Sequence, residues 1–214
     1  FEIKASRSAR AFQEVFGIYK GGLSTDRYNS YNVHQGERQL CWSHADRDFE
    51  KIASREGFDK SIGEELLECK KVVFSLWHHF KDGQIKRDEL IREIEKGPKE
   101  NMRLLFKIGA AHEECRNKTK ATCIDFYNRF DMLWVFVYKE NIEPTNNAAE
   151  QGLRHGVIWR KLSYGSQSEK GERFVERVMT VTGTLKRQAR NSFDYFTNCF
   201  REFIRCCQPP LVLT

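Results

Sequence analysis

The 214 residues, 40% hydrophobic and 31% charged, suit a globular chain with a core of its own, and no stretch approaches the roughly 18 apolar residues of a membrane span. No basic, apolar and small-residue opening marks a secretory signal, and seven irregularly spaced cysteines point to reduced thiols in a cytosol. The net charge of +6 is concentrated: residues 154–190 hold nine Lys/Arg against three acids, a surplus equal to that of the whole chain, and phosphate backbones are its natural partner.

The opening Phe1-Glu2-Ile3-Lys4 reads as the middle of a strand and, with no initiator Met, as the start of a fragment. Residues 6–16 are predicted to be a helix, capped by Ser6 or Ser8 and stopped by Gly17. Residues 21–26 form a short turn and strand whose last residue is Asp26. A second short strand is expected over residues 38–42, with Ser43 capping a helix that runs to about Ser54.

From residue 57 to 140 the pattern is almost wholly helical. Ile62, Leu66, Val73, Leu76, Trp77 and Phe80 recur at helical spacing, and Gly83 and Gly97-Pro98 punctuate further helices. The last, expected over residues 122–139, is aromatic (Phe126, Tyr127, Phe130, Trp134, Phe136, Tyr138) and reads as an apolar packing face rather than a base-stacking one.

Pro144 ends that block, and Thr145 or an Asn caps a short helix over residues 148–154 that carries Glu150 in its first turn. A Ser- and Gly-bearing loop at 163–168 precedes a long helix over residues 169–190, with Phe174, Val178, Val181, Thr182 and Leu185 as its apolar stripe. A final aromatic helix covers residues 192–206.

Asp26 at a strand end and Glu150 on a helix are the kind of carboxylate pair with which a nuclease-type site holds divalent metal. Each also has an ordinary reading, Asp26 as a turn former and Glu150 as a partner of the helix dipole, and spacing alone favours those. Arg154, four residues beyond Glu150, either orients that carboxylate, meets a phosphate or forms a surface ion pair. Arg160 and Lys161 lie before Ser166 and its neighbours, a combination of cations with hydroxyl and backbone donors that suits phosphate. Asn146 and Asn147 offer DNA contacts, although capping accounts for at least one of them. Cys41-x-x-His44 and His112-x-x-Cys115 have zinc-ligand types without finger spacing, so a packed thiol and a helix-terminus or DNA-contacting imidazole is the simpler reading of the first pair.

The stretch IEPTNNAAEQGLRHGVIWRKLSYGSQSEKGERFVERVMTVTGTLKRQARN (residues 142–191) closely resembles the C-terminal part of transposases of the insertion sequence 66 family. LSTDRYNSYN (residues 23–32) and RQLCWSHADRDF (residues 38–49) resemble two earlier blocks of that family, in the same order. The resemblance implies an α/β fold, a partial ribonuclease-H-like core with a large helical insertion that makes this chain predominantly helical. The first part of the core would be residues 1–56, the insertion 57–140, and the second part with C-terminal helices 141–214.

It also implies an Asp-Asp-Glu triad in which Asp26 matches the second member and Glu150 the third, as catalytic metal ligands for Mg²⁺ or Mn²⁺. The first Asp would lie upstream of Phe1, so the chain reads as truncated and inactive alone. The expected function is metal-dependent DNA cleavage and strand transfer in transposition of an insertion sequence. Asn146, Asn147, Arg154, Arg160, Lys161, Ser166, Arg173 and Arg177 are the expected DNA contacts. Transposon ends and target DNA, further copies of the chain and helper proteins are the expected partners, in a bacterial cytoplasm near the nucleoid and away from membrane. The competing readings are a non-catalytic DNA-binding or regulatory fragment and a decayed reading frame. One departure from the family pattern is Asp46, where an apolar or basic residue is usual.

Overall fold

Two three-residue strands, β1 (Leu23–Thr25) and β2 (Arg38–Leu40), pair in parallel with Leu23 opposite Arg38 and Thr25 opposite Leu40. A parallel pair needs a crossover of about a dozen residues or more, and here the connection contains a 3₁₀ turn at Asn29–Val33. Before them lies α1 (Ala9–Phe16): the Ser8 hydroxyl accepts the Ala11 N–H at its start, and Gly17, at φ +56°, ends it. The computed structural model describes residues 1–208, 210 and 212. They divide into two compact units, one of residues 8–147 and one of residues 1–7 with 148–214.

In the first unit β2 runs directly into α2 (Trp42–Ala53). Cys41, not Ser43, is the N-cap of α2, because its own N–H is still held by the Thr25 carbonyl while its carbonyl already receives the N–H groups of His44 and Ala45. Next come α3 (Phe58–Lys81), α4 (Arg87–Lys96), α5 (Pro98–Ala111) and α6 (Asn117–Asn128). Ile62, Leu66, Val73 and Trp77 form the buried face of α3 as their spacing predicts, with Leu76 and Phe80 at its margin. Gly63 lets α2 and α3 close up, since a Cβ there would stand 2.2 Å from the Ala53 nitrogen.

The aromatic stretch is not one helix. It breaks into α6, a 3₁₀ turn at Phe130–Leu133 and α7 (Val135–Tyr138). The break is stabilised from outside the stretch. The Leu133 carbonyl accepts Gln39 Nε2 at 3.0 Å and Trp42 Nε1 at 2.7 Å, and the Phe136 N–H donates to Gln39 Oε1 at 2.8 Å. With helical hydrogen bonding replaced in this way, Phe126, Phe130, Trp134 and Phe136 all reach the core, where Trp134 meets Trp42 edge-on at 5.3 Å between ring centroids.

The second unit contains α8 (Asn147–Ser163, whose first residue belongs to the other unit), α9 (Glu169–Arg187) and α10 (Ser192–Ile204). Helix α8 continues well past Arg154, the end expected from sequence, since nothing between Arg154 and Ser163 breaks it. Ser168 caps α9 by accepting the Gly171 N–H, and Asn191 caps α10 by accepting that of Phe193. Leu185 is buried on α9 and Val178, Val181 and Thr182 are half-buried, but Phe174 is 67% exposed, with Val175 and Met179 taking the inward positions instead. Phe1–Lys4 is not a strand: the Phe1 ammonium donates to Thr180 Oγ1 at 3.0 Å and the Ile3 N–H to Glu176 Oε1 at 2.6 Å, so the segment lies along α9 and pairs with side chains. Among the described residues no helix is long and apolar enough to cross a membrane.

Candidate active site and nucleic-acid interface

Asp26 is the first residue beyond β1 and is half-buried. Its Oδ1 accepts the Tyr28 N–H at 2.9 Å, so the carboxylate closes a turn over its own backbone. Three guanidiniums surround this strand end. Arg38, 5% exposed, donates from Nε to Thr25 Oγ1 at 2.8 Å, from Nη1 to Asn32 Oδ1 at 2.6 Å and from Nη2 to the Asp26 carbonyl at 3.0 Å. Arg27 pairs with both Asp48 of α2 and Asp125 of α6, and its guanidinium lies 4.2 Å from the centre of the Phe126 ring. Arg129 donates to the Arg27 carbonyl at 2.7 Å and to Asn29 Oδ1 at 2.8 Å, and pairs with Asp125 at 3.2 Å.

Burial pushes the Arg38 pKa down, as does the neighbouring Arg129, while Asp26 pulls it back up. The three guanidiniums and the carboxylates of Asp26, Asp48 and Asp125 therefore gather around the end of β1, with Lys51 Nζ also 3.0 Å from Asp48.

In the other unit Glu150 is half-buried in the first turn of α8, and Arg154 one turn on is exposed. Of the three readings open to Arg154, the surface ion pair is not realised, since Arg154 makes no ion pair among the described residues. Arg160 and Lys161 are exposed in the last turn of α8, where cations are favoured by the helix dipole, and Ser166 is half-buried in the loop that follows. Arg173 and Arg177 are exposed on α9, Arg173 pairing with Glu169 at 3.4 Å.

Asn146 and Asn147 belong to the first unit. The Asn146 N–H points to Cys41 Sγ at 3.4 Å, and Asn147 Oδ1 accepts the Ser43 hydroxyl at 3.1 Å. Both are thus engaged with the β2–α2 junction inside the first unit.

A cavity of about 870 Å³ opens within the second unit, between the first half of α8 and the second half of α9. His155, Lys186, Arg187 and Arg190 line it together with Gln151, Thr182 and Ser192, and no Asp or Glu is among the described residues of its wall. Gly152 and Gly156 allow the helices to approach, with a Cβ on Gly156 falling 3.1 Å from Met179 Sδ. Of these cations, the sequence pattern singled out none as a contact. They belong to the basic surplus of residues 154–190, but only the crossing of α8 and α9 selects them from it.

The two Cys/His pairs do not come together as a ligand set among the described residues. Cys41 is buried at the start of α2, and the His112 ring stacks on Phe58 at 3.8 Å. Cys115 and Cys123 are buried, and burial pushes the Cys123 thiol up to about 12. Asp46 is accommodated by a partner on α3, Lys70 Nζ at 2.8 Å.

A short parallel sheet, a carboxylate at a strand end and a basic surplus on the helices of the second unit are features that suit a nucleic-acid partner. Residues 1–173 match the family described as Transposase IS66 family, and the chain belongs to that family. Transposition of an insertion sequence, with DNA as partner, follows from the membership. No curated protein and no solved structure matches the chain.

Proposed function

We propose that the chain is the catalytic part of a DNA transposase with a ribonuclease-H-like core, in which Asp26 and Glu150 are ligands for Mg²⁺ or Mn²⁺. The observation that carries this reading is Asp26 itself, a carboxylate at the C-terminal end of one strand of a parallel pair in a chain of a transposase family.

The donor chemistry fits the ion. Both residues offer hard carboxylate oxygens, and both are half-buried, which leaves room for the waters that Mg²⁺ retains. When bound, such ions activate the attacking oxygen and spread the charge that develops on the phosphate. The protein's part is to hold its groups in place. The Tyr28 N–H orients one oxygen of Asp26, Arg38 fixes the peptide that carries it, and the first turn of α8 carries Glu150. Lys186, Arg187, Arg190 and His155 in the acid-free cavity, with Arg154, Arg160, Lys161 and Arg177, bind the DNA backbone as phosphate contacts without reading sequence.

The test is nicking of labelled DNA bearing the element's ends in Mg²⁺, by the parent and by Asp26→Ala and Glu150→Ala. Each substitution is expected to abolish whatever nicking the parent shows while salt-sensitive DNA binding persists. Nicking that survives both would remove these residues from the metal site. The acid-free cavity also supports a second reading, a DNA-binding transposase fragment without chemistry of its own. Its outcome is binding by the parent with no nicking in either metal.

A further inference from the structure

The helical block between the two candidate carboxylates is more than a spacer, because one of its helices reaches the strand end that carries Asp26. Arg129, the residue at which α6 ends, donates to the Arg27 carbonyl and to Asn29 Oδ1, one on each side of Tyr28. Asp125, one turn earlier on α6, pairs with Arg129 at 3.2 Å and with the Arg27 guanidinium. Arg27 in turn is locked between Asp125, Asp48 and the face of Phe126, so its main chain has little freedom to move. The side chains of Asp125, Arg129, Arg27 and Asp48 are all between 16% and 32% exposed, a setting in which ion pairs hold geometry better than at an open surface. The turn closed by the Asp26 carboxylate spans these same residues, so its orientation depends on the peptide that Arg129 grips.

We propose that Asp125 and Arg129 are positioning residues for Asp26, so that α6 of the helical block sets the direction in which this carboxylate meets a divalent cation. The proposal rests on the metal-ligand role of Asp26 given above.

Geometry and electrostatics here make opposite predictions. Arg129 is a cation near the proposed site, so by Coulomb attraction alone its removal would tighten binding of Mn²⁺. If it acts by holding the Asp26 turn, its removal weakens binding instead, and loss of such an outer partner generally costs roughly tenfold or more in metal affinity.

The experiment measures Mn²⁺ binding to the full chain by the electron paramagnetic resonance signal of the free ion, for the parent, Asp26→Ala, Arg129→Leu and Arg129→Lys. Far-ultraviolet circular dichroism accompanies each variant. Expected are loss of the site in Asp26→Ala, weakening by roughly tenfold in Arg129→Leu, and a smaller weakening in Arg129→Lys, which keeps the charge but not the forked donor geometry. If Arg129→Leu does not fold, Arg129→Lys decides alone: weakened binding in a folded protein supports the proposal, and unchanged or tighter binding overturns it. Unchanged or tighter binding in folded Arg129→Leu, with Asp26→Ala still losing the site, overturns the positioning role and leaves the metal site standing. Parent-like binding by Asp26→Ala would overturn both.

Discussion

Replacing Gln39 with leucine tests how the aromatic stretch is broken and held. Gln39 is fully buried, and its amide donates to the Leu40 and Leu133 carbonyls at 2.7 and 3.0 Å and accepts the Phe136 N–H at 2.8 Å. Leucine fills a similar volume but leaves the Phe136 N–H without its partner, whereas the Leu133 carbonyl keeps Trp42. An orphaned buried donor costs about 1–3 kcal/mol and each of the two other lost hydrogen bonds about 1 kcal/mol, so the expected destabilisation is roughly 3–5 kcal/mol. With a urea slope of about 2 kcal/mol/M for a unit of this size, the midpoint should fall by roughly 1.5–2.5 M. Tryptophan fluorescence reports it well, because Trp42, Trp77 and Trp134 all lie in the core of the same unit. Gln167→Leu, in an exposed loop, should change stability by less than about 0.5 kcal/mol. A Gln39→Leu midpoint within about 0.3 M of the parent would refute the reasoning, since the break at Trp134 would then hold without Gln39.

Other outcomes follow from the same structure. Gly63→Ala should destabilise the first unit by about 2 kcal/mol or more in the same titration, because its Cβ meets the α2 backbone and not a yielding side chain. Arg87→Met should cost about 1–2 kcal/mol, measured likewise, since Arg87 donates to the carbonyls of Phe136, Val137 and Lys139 at the end of α7. A thiol-reactive probe at pH 8 should label Cys206 and Cys207 quickly and leave Cys115 and Cys123 untouched, as the first two are exposed and burial raises the pKa of the other two. The raised Cys123 pKa stabilises the fold below about pH 9, where the unfolded thiol is also protonated. Above that the unfolded chain loses a proton that the folded chain keeps, so this contribution should fade as pH rises towards about 12, and urea midpoints taken through that range would show it. Lys186→Ala with Arg187→Ala should lower the dependence of log K on log salt in DNA binding by about 2, and an unchanged slope would remove the cavity from the DNA interface.

Much of this was legible in the residues themselves. Ser8 and Gly17 bound α1, Ile62 to Trp77 mark the buried face of α3, and Ser168 begins α9, because caps and helical periodicity act over a few residues and leave a local trace. The blocks around Asp26 and Glu150 were likewise sufficient for the family. Phe1–Lys4 misled because alternating apolar and polar residues suit a strand, whereas here the segment's backbone hydrogen bonds go to Thr180 and Glu176 side chains. Phe174 misled because helical spacing defines a stripe only to within a residue or so, and the packing of α9 selected Val175 and Met179 instead.

The sequence by itself determined the helical character, most helix boundaries and the membership of a transposase family, all of which depend on short-range patterns or contiguous words. Only the tertiary structure decided where the aromatic stretch breaks, since the donors that stabilise the break, Gln39 and Trp42, lie more than 90 residues away. It also decided that Arg27, Arg38, Arg129, Asp48 and Asp125 gather around Asp26 and that Lys186 and Arg187 face a cavity with His155. Charges spread over 100 residues of chain balance only when folding brings them within a few ångströms, and no local pattern records which partner each will find.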